Sequence, residues 1–334
     1  MRCALEVHLA RCLGKHRVNR LYGLDALRGI AALVVALHHS AAIFGLAVPP
    51  FHPGLAVDLF FILSGFVMTR TYEDRIRSGL STASFLDIRY RRLFMPLAIG
   101  STIGLGWAAT ELGPSPELLV AWVLILAFLP TIGMDHCFLL NGPAWSLFVE
   151  ITANGIHSSC FARLSDQVLV GVWAVLTGIA VAMLFAGISH WAPGIGGIIS
   201  LIPRELSCYV AGILVFRRFG DAPLGNKPLL AITFFCLALV VATFNIYLEI
   251  AATFIAAPLI IRGSIGLRRM TWAVWAGSLS YPLYAVHVPT MKLAKLWGLH
   301  ALGSFALAVA AAIVVTVLFE VRQKAQRMGS RANA

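Results

Sequence analysis

The chain has 334 residues, of which 59% are hydrophobic and only 12% charged, whereas water-soluble domains sit near 45–50% apolar with about a quarter charged. That balance excludes a soluble enzyme and predicts an all-α, polytopic transmembrane bundle, because apolar runs of roughly 17–25 residues, the length that crosses a bilayer as a helix, recur throughout. The net charge of +11 falls into clusters at 2–20, 70–92, 217–227, 262–269 and 322–331, between the apolar runs, so it reports membrane orientation by the positive-inside rule and predicts no nucleic-acid partner.

Candidate helices run over 24–46, 54–70, 93–111, 117–133, 143–161, 168–188, 200–216, 228–247, 248–262, 272–291 and 302–320. If the basic clusters are all cytoplasmic, an even number of crossings must separate Arg92 from Arg217, yet five candidates lie between them. One of these is then re-entrant or interfacial, and 117–133, with Pro130 and no basic flank, is the choice. About ten spans remain, with both termini cytoplasmic. The expected organisation is a basic segment 1–23, a transmembrane domain 24–320 and a basic tail 321–334. No cleavable signal peptide is read, so the first span serves as its own signal. Lys292 and Lys295 fall outside, an exception to the rule. The six cysteines show no CxxC and no metal-ligand spacing, so no metal site is expected.

The first helix, "LDALRGIAALVVALHHS", carries ionisable groups where hydrocarbon tolerates them poorly. Residues eleven apart on a helix differ by only ~20° of rotation and ~16 Å of rise, so Arg28 and His39 share a face while His38 is turned ~80° away. The second helix begins "HPGLAVDLFFILSGF". A hairpin near Pro49 and Pro50 sets Asp58 opposite His39, where a carboxylate can fix the tautomer of an imidazole and stabilise its protonated form. The same pair would also serve merely to hold two helices together. In "DIRYRRLFMP", Arg89, Arg91 and Arg92 directly precede the next expected helix, where guanidinium groups and a helix N-terminus both favour phosphate. Taken alone, positive-inside topology and contact with lipid phosphates are the stronger reading of these arginines. Taken together, phosphate-binding arginines at one face and a base ~16 Å deeper match a phosphorylated carrier with an extended reactive arm, such as coenzyme A.

In this order of fragments the chain resembles the membrane acyltransferase family 3, integral-membrane enzymes that O-acylate surface glycans and related molecules. "LDALRGIAALVVALHH" resembles the family's opening helix, and "AVDLFFILSGFVMTR" its second. "RYRRLFMP" resembles the arginine-rich entry to the third, "GPAWSLFVE" the Trp-Ser-Leu-x-Val-Glu segment, and "LSYPLYAVHVP" the late Ser-Tyr-x-Leu-Tyr-x-x-His motif. The family often continues after the glutamate with an acidic residue and an aromatic pair; here Ile151, Thr152 and Ala153 follow Glu150.

The resemblance implies a cytoplasmic acyl-CoA donor, commonly acetyl-CoA, used as a co-substrate with no permanently bound cofactor. The acceptor it implies is a hydroxyl of a glycan or lipid-linked glycan, and the location is a bacterial inner membrane, in contact with its lipids. His39 becomes the catalytic histidine, with Asp58 and Glu150 as further catalytic candidates. Arg28, Arg89, Arg91 and Arg92 form the donor-binding set, and Trp145, Tyr284 and His287 are candidate acceptor contacts. Two other classes share the buried charges: a transporter or flippase for a polar substrate, and a non-catalytic relative of such an enzyme.

Overall fold

The computed structural model describes residues 20–188 and 194–332, and side chains as far as residue 319. Most of the expected N-terminal basic segment, and the side chains of the basic tail, lie outside the described residues. Among the described residues the regular structure is helical. In chain order the helices are α1 (Tyr22–Phe44), α2 (Pro53–Arg77), α3 (Thr82–Glu111), α4 (Pro116–Leu126), α5 (Ala144–Ser159), α6 (Asp166–Phe185) and α7 (Ile195–Phe219). They continue with α8 (Pro228–Val241), α9 (Ile246–Ser264), α10 (Thr271–Leu296) and α11 (Ala301–Ala332). A π-helical turn, Ala252–Ala256, interrupts α9.

Local chemistry sets the boundaries. His52 caps α2 by accepting from the Leu55 N–H at 3.1 Å, with Pro53 in the first turn. Ser81, Ser165 and Asn245 cap α3, α6 and α9 in the same way, each satisfying a backbone donor that the first turn leaves open. Gly45 ends α1 at φ 65°, the left-handed conformation that favours glycine. The Ser81 cap starts α3 well before residue 93. Arg89, Arg91 and Arg92 therefore sit inside the helix, beyond the first turn in which its end dipole acts. The expectation that they precede a helix is corrected.

Seven of these helices are long and apolar enough to cross a bilayer: α1, α2, α3, α6, α7, α9 and the first part of α11. At 11 residues α4 measures ~16 Å, about half of a ~30 Å hydrocarbon core. Helices α5 and α8, with 16 and 14 residues, are also short. α10 has the length, 26 residues, but is less apolar.

α10 is nonetheless the centre of the bundle, with residues 282–291 all buried. It packs most extensively against α1, then α11 and α3, while α2 packs on α7 and α7 on α6. Small residues mark these crossings, as expected where helices meet in lipid without a hydrophobic drive. A side chain at Gly65 would strike the Tyr209 carbonyl, and one at Gly212 the Ile62 carbonyl, so α2 and α7 touch backbone to backbone. Gly29 abuts Ala276 and Gly277 abuts Asp25, which draws α1 onto α10.

Contacts between helix ends sort the bundle into two sides. Lys295 donates to the Ile43 carbonyl at 2.6 Å, and the His52 N–H to the Leu239 carbonyl at 2.8 Å. On the opposite side Arg70 pairs with Asp221 at 2.7 Å, and Arg217 holds Glu73, Asp166 and the Phe161 and Leu164 carbonyls. This second side carries the arginine clusters.

Candidate active site

A cavity of about 470 Å³ opens between α1, α2, α3, α5, α10 and α11. Arg20, Arg28, Arg89 and Arg92 line it, with Asp25 and Glu150 as its acidic groups. On α3, residues 89, 92 and 96 lie at helical spacing and all face this space. Arg91 lies ~200° around the helix from Arg89. It pairs instead with Asp87 at 2.8 Å on the outer face, its side chain 78% exposed. The expected donor set is thus corrected by one member: Arg91 does not reach the cavity.

Arg89 is 3% exposed, and its Nη2 donates to Glu150 Oε1 at 2.7 Å. The same oxygen accepts from Ser64 at 3.1 Å. Arg89 Nε and Nη1 are buried and have no hydrogen-bond partner. Leaving part of a buried guanidinium unsatisfied costs several kcal/mol in general, unless an anion completes it. Glu150 is therefore engaged as the anchor of Arg89. The Tyr281 hydroxyl donates to the Leu93 carbonyl and adds a second tie between α10 and α3.

Deeper in the cavity Tyr284 and Ser146 share a hydrogen bond of 2.8 Å. Trp145 faces away: it packs, half-buried, against the main apolar core and does not line the cavity, whereas Ser146 and Glu150 do. The expected Trp145 contact with an acceptor is not one this cavity provides.

His39 and His287, neither of which lines the cavity, meet Nδ1 to Nε2 at 2.9 Å, with ring centroids 5.1 Å apart. His287 is fully buried, and its ring lies 6.0 Å from that of Tyr284. Its Nδ1 stands 2.9 Å from both the Leu283 and Tyr284 carbonyls. His38 meets His39 edge to face at 5.7 Å, and its Nδ1 is buried without a partner.

The expected pairing of Asp58 with His39 does not occur. Asp58 is 0% exposed and bonded to Arg204 through both oxygens, at 2.8 and 2.6 Å. Thr253, on the π-helical turn of α9, donates to it at 2.8 Å, and Glu249 takes the remaining arm of Arg204 at 2.6 Å. The reason is the small-residue face. Asp58 and Gly65 are seven apart and so share a side of α2, and Gly65 must lie on α7. On α1 the face of Gly29, Ala32 and Ala36 leads to His39 and packs on α10. From the sequence Arg204 and Glu205 read as a helix entrance without chemistry, but α7 begins at Ile195, so Arg204 lies inside the helix, where a buried cation needs a carboxylate partner.

Asn141, also missed, donates to the Ala285 carbonyl at 2.8 Å. That carbonyl is open because Pro289, four residues on, has no N–H to give it. Gly100 lets α3 close over the same carbonyl.

A family model described as an acyltransferase domain matches residues 21–321. "Protein 2 in picA locus" from Rhizobium radiobacter is 36% identical over 175 residues, covering 47% of this chain and 91% of that protein. No solved structure matches. The arginine-lined cavity, the histidine pair and the match over nearly the whole chain lead to one assignment: this membrane protein belongs to the acyltransferase 3 family.

Proposed function

We propose that the protein is a membrane O-acyltransferase that moves an acyl group, with acetyl as the simplest case, from acyl-CoA to a hydroxyl of a surface polysaccharide, lipid-linked glycan or related glycoside. The observation that carries this reading is the half-satisfied guanidinium of Arg89, buried in a cavity it shares with Arg28 and Arg92. Such a set fits the phosphates of a CoA ester, since charge-assisted bonds to phosphate are the strong ones. Among the other intramembrane charges, Asp58 and Glu249 are both held by Arg204, while Glu205 beside them is buried with one oxygen unpartnered.

The chemistry follows from the family. His39 takes the proton of the acceptor hydroxyl as the C–O bond forms at the thioester carbonyl. The C–S bond breaks, and the proton returns from His39 to the departing thiolate. Ser146 and Tyr284, which line the cavity and share a hydrogen bond, supply hydroxyls for a developing oxyanion. We further propose that the arginine-rich side is cytoplasmic in a bacterial inner membrane. Counting α4 and α5 as one interrupted crossing then gives ten passes.

The test is transfer of radiolabelled acetyl from acetyl-CoA into envelope glycans of cells carrying the protein. His39→Asn should lower transfer by at least ~100-fold, in keeping with loss of a general base, while His38→Phe retains it at equal protein level. Equal loss in both, or no protein-dependent label with wild type, overturns the reading.

A further inference from the structure

The geometry points to His287 as a positioning residue that locks His39 into a single tautomer with its lone pair on Nε2. This rests on His39 being the base, and it extends that reading from which residue acts to which atom acts.

The argument is one of donors and acceptors. His287 Nδ1 faces two backbone carbonyls, of Leu283 and Tyr284, each at 2.9 Å. A carbonyl only accepts, so Nδ1 carries hydrogen. A neutral imidazole has one N–H, so His287 Nε2 holds a lone pair and must accept. Its partner at 2.9 Å is His39 Nδ1, which therefore donates. The proton of neutral His39 is spent on that bond, and its lone pair is left on Nε2. The Val35 carbonyl of α1 also interacts with the ring, and His287 adds the side-chain acceptor that disfavours the tautomer in which Nε2 is an N–H and accepts no proton.

The fold over-determines the arrangement. His287 is fully buried on the central helix, so its ring neither swings nor bonds water. The face of Gly29, Ala32 and Ala36 brings α1 close enough for two imidazoles to meet edge on. The groups facing His39 are the His38 ring beside it, the Val35 carbonyl of its own helix and, from α10, His287 and Lys292. None of them is a carboxylate. The pair thus orients the base with a neutral acceptor, where a serine-protease-like site uses an anion.

Two readouts test this. In protein with ¹⁵N-labelled histidine reconstituted in lipid, the signals lost on His39→Asn should be a pyrrole-type Nδ1 and a pyridine-type Nε2. The reverse pattern, or an equal mixture, overturns the inference whatever the activity. In the acetyl-transfer assay, His287→Leu should lower kcat by ~100-fold or more, the scale of misdirected base catalysis, with KM for acetyl-CoA within about twofold. His287→Gln, whose side-chain oxygen can accept from Nδ1, should regain about tenfold over Leu. If Gln and Leu fall equally at equal folded protein, His287 packs the core and does not position the base. An inactive wild type with the stated tautomer would sink the acyl-transfer reading and leave the tautomer lock standing.

Discussion

At the scale of single residues, the cavity separates arginines that sequence proximity grouped together. Arg89 enters with two unsatisfied nitrogens, and Arg91 leaves the same helix toward the outside. Arg89→Gln should raise KM for acyl-CoA by roughly ten- to a hundredfold, the loss of one charge-assisted contact of about 1.5–3 kcal/mol. Arg91→Gln should leave it within about twofold, because an exposed i,i+4 pair is worth only ~0.3–0.5 kcal/mol and touches no ligand. Saturation curves with acetyl-CoA on the two variants decide it, and equal shifts would remove Arg89 from the donor site. Arg28 and His39 were legible in advance because eleven residues return to one face of a helix. The partner of His39 was not. His287 lies 248 positions away, and nothing local in either segment says which two helices of a bundle will touch.

Among elements, tight crossings decide which polar groups meet. Their small residues were visible in the sequence, yet hydropathy treats glycine and alanine as unremarkable members of an apolar run. Gly65 turns its side of α2 to α7, so Asp58 goes to Arg204 and away from the hairpin partner that chain order suggested. Helix existence was legible nearly everywhere. The early start of α3 was missed because its first turns are polar, and polarity hides a helix from an apolar-run criterion. Asp58→Leu removes the bidentate partner of buried Arg204, leaving Glu249 and the neighbouring Glu205, and should cost about 3–5 kcal/mol. Removing both charges, in Asp58→Leu with Arg204→Met, should restore most of that stability, and Glu249 keeps His52 at 3.4 Å. Thermal unfolding in detergent measures the recovery. Acyl transfer in the double variant then reports on chemistry: a stable but inactive protein would return Asp58 to the catalytic set.

For the whole molecule, the two sides defined by helix-end contacts are the basis for sidedness. Single cysteines replacing Pro114 and Asn226, both exposed, in a variant free of other cysteines should label oppositely on intact cells. Pro114→Cys should react with an impermeant thiol reagent, and Asn226→Cys only once the membrane is opened. The reverse pattern would invert the bundle and put the arginine-lined cavity on the wrong side for cytoplasmic CoA. The hydrogen bonds of His287 carry one more consequence. Its Nδ1 ends on carbonyls of its own helix, so a proton arriving at His39 has no onward wire. On the proposed chemistry it can only go back to sulfur. On that proposal one acyl cation equivalent moves outward for each proton that moves inward, an electroneutral exchange with no net charge carried across the membrane per turnover.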